Sequence, residues 1–163
     1  MRKFILDECF IDAIISLSAK TFFTTIKKTY ILAVTKKTDK SVTQKEPVFT
    51  YLVSDIGETL DNYRFDTEVN HLEDSVILFR QFIAAKQHLK TDDKRCKIQP
   101  IDKFKPEYNW MIDRWWTDKE KEELGLFEGN TKLDIGDFAI LLGDVANDIL
   151  TYQEELKELQ KKT

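Results

Sequence analysis

The sequence FIDAIISLSAKTFFTTIKKTYILAVTKK, residues 10–37, decides how this chain folds. It opens with an almost unbroken apolar run from Phe10 to Leu17, and a second apolar run extends from Tyr30 to Val34. Runs of this length that are rich in Ile, Val, Phe and Tyr are typical of strands buried on both faces. The stretch therefore predicts two buried strands joined by a polar loop, and that loop carries two aromatic rings, Phe22 and Phe23.

The flanking segments predict an α/β fold. A short helix is predicted from Arg2 to Cys9, directly before the first strand, and alternation of helix and strand is typical of this class. Pro47 fits the first position of a third strand, Val48 to Val53, because proline cannot donate a ladder hydrogen bond. Between the second and third strands, Thr38 to Glu46 is polar and is predicted to be a loop.

The middle of the chain predicts one further helix. Ser54 to Gly57 is interpreted as a turn, and Glu58 to Val69 as an irregular segment held by two aromatic anchors, Tyr63 and Phe65. A helix is predicted from Asn70 to Gln87, with the Asn70 side chain as its N-cap. Its predicted buried stripe is Leu72, Val76, Phe79 and Ile83.

The segment from Ile98 to Trp116 is dense in aromatic residues and has two interpretations. It either packs on the core as an irregular segment, which we favour because its surroundings are acidic, or it presents a base-stacking surface. A capping box at Thr117 and Glu120 then predicts a short helix that ends at Gly125.

The tail, from Asp134 to about Lys161, predicts a long helix with a narrow apolar seam. Apolar side chains recur at steps of three and four over nearly four heptads, which indicates a helical partner within the protein or on another chain. The seam consists of Ile135, Phe138, Leu142, Val145, Ile149, Tyr152, Leu156 and Leu159.

Composition favours a soluble globular protein in a reducing compartment. The chain has 163 residues, of which 42% are apolar and 33% charged, with a net charge of −4. Residues 1–40 are basic, whereas the chain from Asp118 onward has twice as many acidic as basic residues. Two cysteines without metal or disulfide spacing predict free thiols and a cytoplasmic location. No apolar run is long enough to span a membrane.

The residues show no self-contained active site. The sequence has no G-x-G motif, so it lacks a glycine loop that could hold a phosphate or dinucleotide. His71 and His88 have no ligand spacing and are expected on helix surfaces. No motif indicates a metal site or a catalytic triad.

Several motifs together resemble a known family. They are Ile14 to Ser18, Thr21-Phe22-Phe23, Lys27 to Leu32, Pro47 to Gly57 and Trp110 to Gly125. In this order they resemble the end of the catalytic domain in the modification subunit of type I restriction-modification systems, which are adenine-N6 DNA methyltransferases. The family usually has proline where Ser18 stands.

The resemblance implies a C-terminal part only. It implies the last strands and helices of a Rossmann-like methyltransferase sheet in residues 1–89, followed by an α-helical C-terminal region in residues 98–163. The family binds S-adenosylmethionine through a glycine-bearing loop and holds adenine at an Asn-Pro-Pro-aromatic motif. This chain has neither motif, because it contains no G-x-G and its prolines are never adjacent. We therefore expect no cofactor bound by this chain alone, and no methyl transfer.

The resemblance also implies a role in holding the target base. Methylation of adenine requires that the base be flipped out of the duplex. In this family an aromatic residue before the final strand stacks on that base, which implies Phe23, with Phe22 as its neighbour. The alternative is that both rings pack under the sheet edge, and we favour this for Phe22 and base stacking for Phe23. DNA phosphates would meet Lys20, Lys27 and Lys28.

The implied partners are the specificity subunit, which would bind the tail seam, the restriction subunit, and DNA in the assembled complex. The first hypothesis is thus a C-terminal fragment of a type I modification subunit. A second is a stand-alone interaction protein that associates through its tail helix. A third is a small DNA-binding module that uses the basic front of the chain.

Overall fold

The computed structural model describes residues 1–126 except 23, 26, 62 and 86–88, together with 142, 143 and 146. The chain divides into two compact units, Met1–Phe127 and Glu128–Thr163, and the elements named here belong to the first. They are helices α1 (Arg2–Glu8), α2 (His71–Ala84) and α3 (Asp118–Glu123), and strands β1 (Cys9–Ser16), β2 (Tyr30–Lys36), β3 (Val48–Leu52), β4 (Ile56–Glu58), β5 (Asp66–Asn70) and β6 (Cys96–Gln99). This unit is mixed α/β, as predicted, whereas the Rossmann-like sheet and the helical C-terminal region stay predictions.

A mixed four-stranded sheet organises this unit. Its order is β2-β1-β3-β6, so the first predicted strand lies inside the sheet. Strand β1 runs antiparallel to β2 and parallel to β3, with Ile14 opposite both Leu32 and Thr50. Strands β3 and β6 are antiparallel.

Strand β1 is buried on both faces, as its apolar run predicts. Ile11 and Ile14 belong to a core cluster that includes Phe104, Trp110 and Trp116. Ala13 and Ile15 belong to a second cluster, which contains Phe49, Tyr51 and Phe82. The sheet therefore separates two hydrophobic layers, and β1 contributes side chains to each.

Strand β2 differs from the prediction, because it is not buried on both faces. It forms an outer strand of the described sheet, and Ile31, Leu32 and Val34 are each exposed by more than a third. An apolar run is buried on both faces only when strands and layers cover it, and local sequence does not reveal that cover.

Residues 54–70 form a hairpin, so the predicted turn and irregular segment are wrong. Strands β4 and β5 pair antiparallel as a separate two-stranded sheet. Gly57 has a φ of +80°, and a Cβ there would lie 2.7 Å from Asn70 Nδ2, so the hairpin needs glycine at this position. Tyr63 and Phe65 are exposed and do not act as core anchors.

Strand β6 overlaps the gap between the two predicted domains, residues 1–89 and 98–163. Its Lys97 is half-buried, and Nζ donates to a Glu120 carboxylate oxygen at 2.7 Å. That bond, with the amide of the Thr117 cap, holds the pKa of Glu120 down to about 2. The domain boundaries at residues 89 and 98 stay a prediction.

Helix α2 begins as predicted, and half of its predicted stripe packs on the core, since Leu72 and Phe79 are half-buried against the second core cluster. Asn70 caps it by accepting a hydrogen bond of 3.1 Å from the Glu73 amide. Its buried residues are Ser75 and Phe82, whereas Val76 and Ile83 are exposed. Ser75 tolerates burial because its hydroxyl donates to the Leu72 carbonyl at 2.6 Å.

The aromatic segment packs on the core, which confirms the favoured interpretation. Phe104, Trp110 and Trp116 are buried, and the Trp116 indole donates to the Lys94 carbonyl at 2.9 Å. The capping box at Thr117 is also confirmed. Both cysteines are free, and burial raises the pKa of the Cys96 thiol to about 12.

The Gln44 side chain pairs with the backbone of β1 at Ile11, where β1 has no pairing with β3. The β1–β3 pairing begins at Ala13, and the buried Gln44 side chain accepts from the Ile11 amide and donates to the Ile11 carbonyl, each at 2.8 Å. These two bonds satisfy backbone groups that burial would otherwise leave unpaired.

We expect Gln44→Leu to lower the free energy of unfolding by roughly 2–5 kcal/mol, since each orphaned buried group costs about 1–3 kcal/mol. Urea unfolding followed by tryptophan fluorescence measures this change. The neighbouring exposed Lys45→Met should shift stability by less than about 0.5 kcal/mol. A Gln44→Leu protein as stable as the unchanged chain would contradict this account.

Candidate functional site

The candidate site is built on the connection between β1 and β2, here named the target loop (residues 18–29). Ser18 and Thr21 are hydrogen-bonded to each other at the start of the loop. The Thr21 hydroxyl donates to the Ser18 carbonyl at 2.8 Å, and the two hydroxyls lie 3.1 Å apart. Lys20, between them, has a φ of +62°, in the left-handed region that costs a side chain energy. The loop thus turns sharply at Lys20.

The predicted site residues on this loop lie at the surface where they are described. Phe22 is 51% exposed, so it does not pack under the sheet edge. Its carbonyl accepts from the Thr25 amide at 3.2 Å, which turns the chain beyond the ring. Lys20, Lys27 and Lys28 are exposed. Phe23, the predicted base-stacking residue, lies outside the described residues.

Arg64 ties the β4–β5 hairpin to the target loop, a contact that the sequence did not predict. Its guanidinium Nη2 donates to the Lys20 carbonyl at 3.0 Å and to the Thr21 carbonyl at 2.9 Å. Arg64 itself has a φ of +53°. No local pattern signals a contact between residues 43 positions apart. The hairpin therefore belongs to the same surface as Phe22.

Asp61 organises the hairpin turn. Its Oδ1 accepts from the amides of Tyr63 and Arg64, at 2.8 and 3.1 Å, and from the Thr59 hydroxyl at 3.0 Å. The Tyr63 amide is the main reason that the pKa of Asp61 lies below its usual value. The turn is therefore fixed by three hydrogen bonds to one carboxylate oxygen.

His71 serves structure instead of lying free on the helix surface as expected. Its Nδ1 lies 3.0 Å from the Ser54 hydroxyl and 3.3 Å from an Asp55 carboxylate oxygen. Burial and the positive charge of Arg95 lower its pKa. His88 lies outside the described residues.

That this chain alone binds no S-adenosylmethionine stays a prediction. The clefts beside Gln44 and Trp110 have no glycine in their walls. Gly57 and Gly125 occur with positive φ in the hairpin and after α3, not in a loop that follows a parallel strand. Among the described residues, no three metal-ligating side chains converge, and no helix is long and apolar enough to cross a membrane.

Comparison with known families identifies the chain. The sequence profile described as N-6 DNA Methylase matches residues 1–124, which include the sheet, the target loop and the hairpin. The chain belongs to the N-6 DNA methylase family. No curated protein matches this family member.

One solved structure is similar at low identity. It is described as the structural basis underlying complex assembly and conformational transition of the type I R-M system, and the chain compared there shares 16% identity with a TM-score of 0.42. The match covers 99% of this N-6 DNA methylase chain and 32% of the other. Our chain thus spans about a third of that relative's length.

The predicted tail seam is not tested. Leu142 is the one described member, and it is exposed. The other seven lie outside the described residues: Ile135, Phe138, Val145, Ile149, Tyr152, Leu156 and Leu159. Binding of a helical partner stays a prediction.

Acid should release the hairpin turn through Asp61. Folding lowers the pKa of Asp61 below its unfolded value of 3.8. The ionised carboxylate therefore contributes its full stabilisation of the turn above pH 3.8, and this stabilisation is lost as the pH falls through the folded-state pKa. We expect the Tyr63 and Arg64 amide resonances in NMR spectra to shift in that acidic window. Asp61→Asn keeps the acceptor oxygen without its titration, so its resonances should not shift there. Identical titrations of the two proteins would contradict this role.

Proposed function

We propose that this chain is the C-terminal fragment of the modification subunit of a type I restriction-modification system. The whole enzyme is a site-specific adenine-N6 DNA methyltransferase that uses S-adenosylmethionine. This fragment contributes a wall of the target-base pocket and a contact to the specificity subunit, and it transfers no methyl group alone. The open outer edge of β2 carries the proposal.

That edge has the character of an interior strand. Within the described part of the chain, β2 pairs with β1 alone. Ile31 and Leu32 are adjacent and so point to opposite faces of the sheet, yet both are exposed. Strands that end a sheet usually carry charges or proline to prevent further pairing. Strand β2 has no proline, and its only charged residue is Lys36 at its end.

We infer that the rest of the catalytic sheet pairs with β2. A strand added there would satisfy the outer backbone groups, and its covering layers would bury the apolar side chains. The missing part would carry the cofactor loop and the Asn-Pro-Pro-aromatic motif, which this sequence lacks. If a second polypeptide carries these two motifs, this chain can belong to the family although its own sequence lacks them.

The target loop is the part of the pocket that this chain supplies. Its exposed Phe22 presents a ring to solvent beside Lys20. A flipped adenine can stack on such a ring, while lysines meet the flanking phosphates. We assign the stacking to Phe23 and Phe22 and the phosphate contacts to Lys20, Lys27 and Lys28.

The remaining assignments concern assembly. The tail seam would bind helices of the specificity subunit, and the complex would include the restriction subunit and DNA. We place this complex in the cytoplasm, where the two free cysteines stay reduced.

A methyl-transfer assay tests whether catalysis requires a second polypeptide that carries the two missing motifs. The DNA upstream of the Met1 codon is translated in all frames, and an encoded polypeptide with the two missing motifs is co-expressed with this chain. We expect tritiated methyl transfer from S-adenosylmethionine to duplex DNA only from the co-expressed pair. Transfer by this chain alone, or unrelated upstream DNA, would overturn the proposal.

Two valines test the edge itself. Val34 on β2 is 42% exposed and Val42 in the following loop is 47% exposed. Val34→Lys should abolish co-purification with the upstream polypeptide, because it places a charge in a buried strand pair. Val42→Lys should leave it unchanged. Equal recovery of the two variants would exclude β2 as the contact.

A further inference from the structure

The β4–β5 hairpin ends in an exposed pair of stacked rings. The ring centroids of Tyr63 and Phe65 lie 5.8 Å apart at an interplanar angle of 20°. The two residues are 79% and 63% exposed. We name Tyr63, Arg64 and Phe65 the aromatic tip. Two large rings that stack on each other at the surface, instead of packing on the core, indicate a contact surface.

The backbone of the aromatic tip is held by hydrogen bonds within its own turn. Asp61 accepts the amides of Tyr63 and Arg64. The Phe65 amide donates to the Thr59 hydroxyl at 3.0 Å, and the Phe65 carbonyl accepts from the Thr59 amide at 2.8 Å. The rings are therefore presented before any ligand arrives, and binding need not order the backbone.

Arg64 places the aromatic tip beside the target loop. Its guanidinium bonds to the Lys20 and Thr21 carbonyls, immediately before the exposed ring of Phe22. Both bonds come from one nitrogen, Nη2, whose two hydrogens reach two successive carbonyls of the loop. Arg64 thus acts as a positioning residue that couples the hairpin to the loop.

Charge distinguishes the two parts of this surface. The target loop carries the exposed Lys20, Lys27 and Lys28. The hairpin carries the exposed acids Glu58, Asp61, Asp66 and Glu68, which would repel phosphates, so a DNA contact here depends on the lysines of the neighbouring target loop. Phosphates would therefore approach the loop, while the hairpin would meet an uncharged part of the ligand. The faces of nucleobases suit exposed rings in such a position.

We propose that the aromatic tip stacks on an unpaired DNA base next to the one held at the target loop. This inference rests on the proposed function, and it assigns to the hairpin a DNA contact separate from Phe22 and Phe23. The tip keeps open the gap in the duplex that base flipping creates, because an aromatic ring can replace a lost base neighbour.

Binding of the full 163-residue chain to a fluorescein-labelled duplex tests the proposal. One duplex has a single bulged adenine flanked by a mismatch, and a second is fully paired. Tyr63→Leu and Phe65→Leu keep apolar volume but remove the ring. Each should weaken binding of the bulged duplex about tenfold and leave binding of the paired duplex unchanged.

Phe4→Leu on α1 is the matched control, since Phe4 is 65% exposed, as much as Phe65. It should bind both duplexes as the unchanged chain does. The unfolding temperatures of all three variants should agree with that of the unchanged chain, because the replaced rings are exposed. No preference of the unchanged chain for the bulged duplex, or equal losses on both duplexes, would overturn the proposal.

A fluorescent base separates stacking from general attachment. With 2-aminopurine beside the bulge, stacking on the tip should quench its emission, and Tyr63→Leu or Phe65→Leu should restore it. Arg64→Met removes both hydrogen bonds to the target loop and should also restore emission, although both rings remain. Quenching that persists in the ring variants would exclude the tip.

The two proposals fail in different ways. If co-expression restores methyl transfer while the ring variants bind and quench normally, only the aromatic tip proposal is wrong. If the ring variants bind the bulged duplex more weakly but co-expression gives no methyl transfer, the tip binds unpaired bases and the fragment assignment is wrong.

Discussion

The burial of β1 on both faces is the constraint on which the structure depends. Every residue from Ile11 to Ser16 is buried, so the strand needs neighbours on both edges and a layer over each face. Helix α2 and the aromatic segment supply residues to the two layers. Even the buried Asp12 is compatible with this position, because its carboxylate accepts from the Thr35 hydroxyl at 2.6 Å.

The same strand positions the candidate site. The target loop leaves β1 directly after its last buried residues, so the rigid sheet determines where Phe22 emerges. On the far side of the loop the chain returns as β2, in register with β1 from Ser16 opposite Tyr30. The hairpin then approaches the loop through Arg64. The exposed rings and lysines of the target loop and the hairpin are therefore positioned by β1.

Much of the fold could be predicted from local pattern. The apolar run at Phe10, the cap residues Asn70 and Thr117 and the aromatic core segment all appear as expected, because each depends on neighbours in the chain. The hairpin and β6 were missed. Their strands are short and polar, and strand formation at such positions depends on a partner strand that the local sequence does not identify.

The sequence by itself determined that one strand is deeply buried, where two helices begin, and that no glycine loop or Asn-Pro-Pro-aromatic motif is present. Composition and spacing suffice for these, since they follow from residue type and periodicity. Only the tertiary structure decided that β2 is open to solvent, that Tyr63 and Phe65 are displayed, and that Arg64 joins hairpin to loop. Exposure and long-range hydrogen bonds depend on which elements become neighbours, and that is settled when the whole sheet packs.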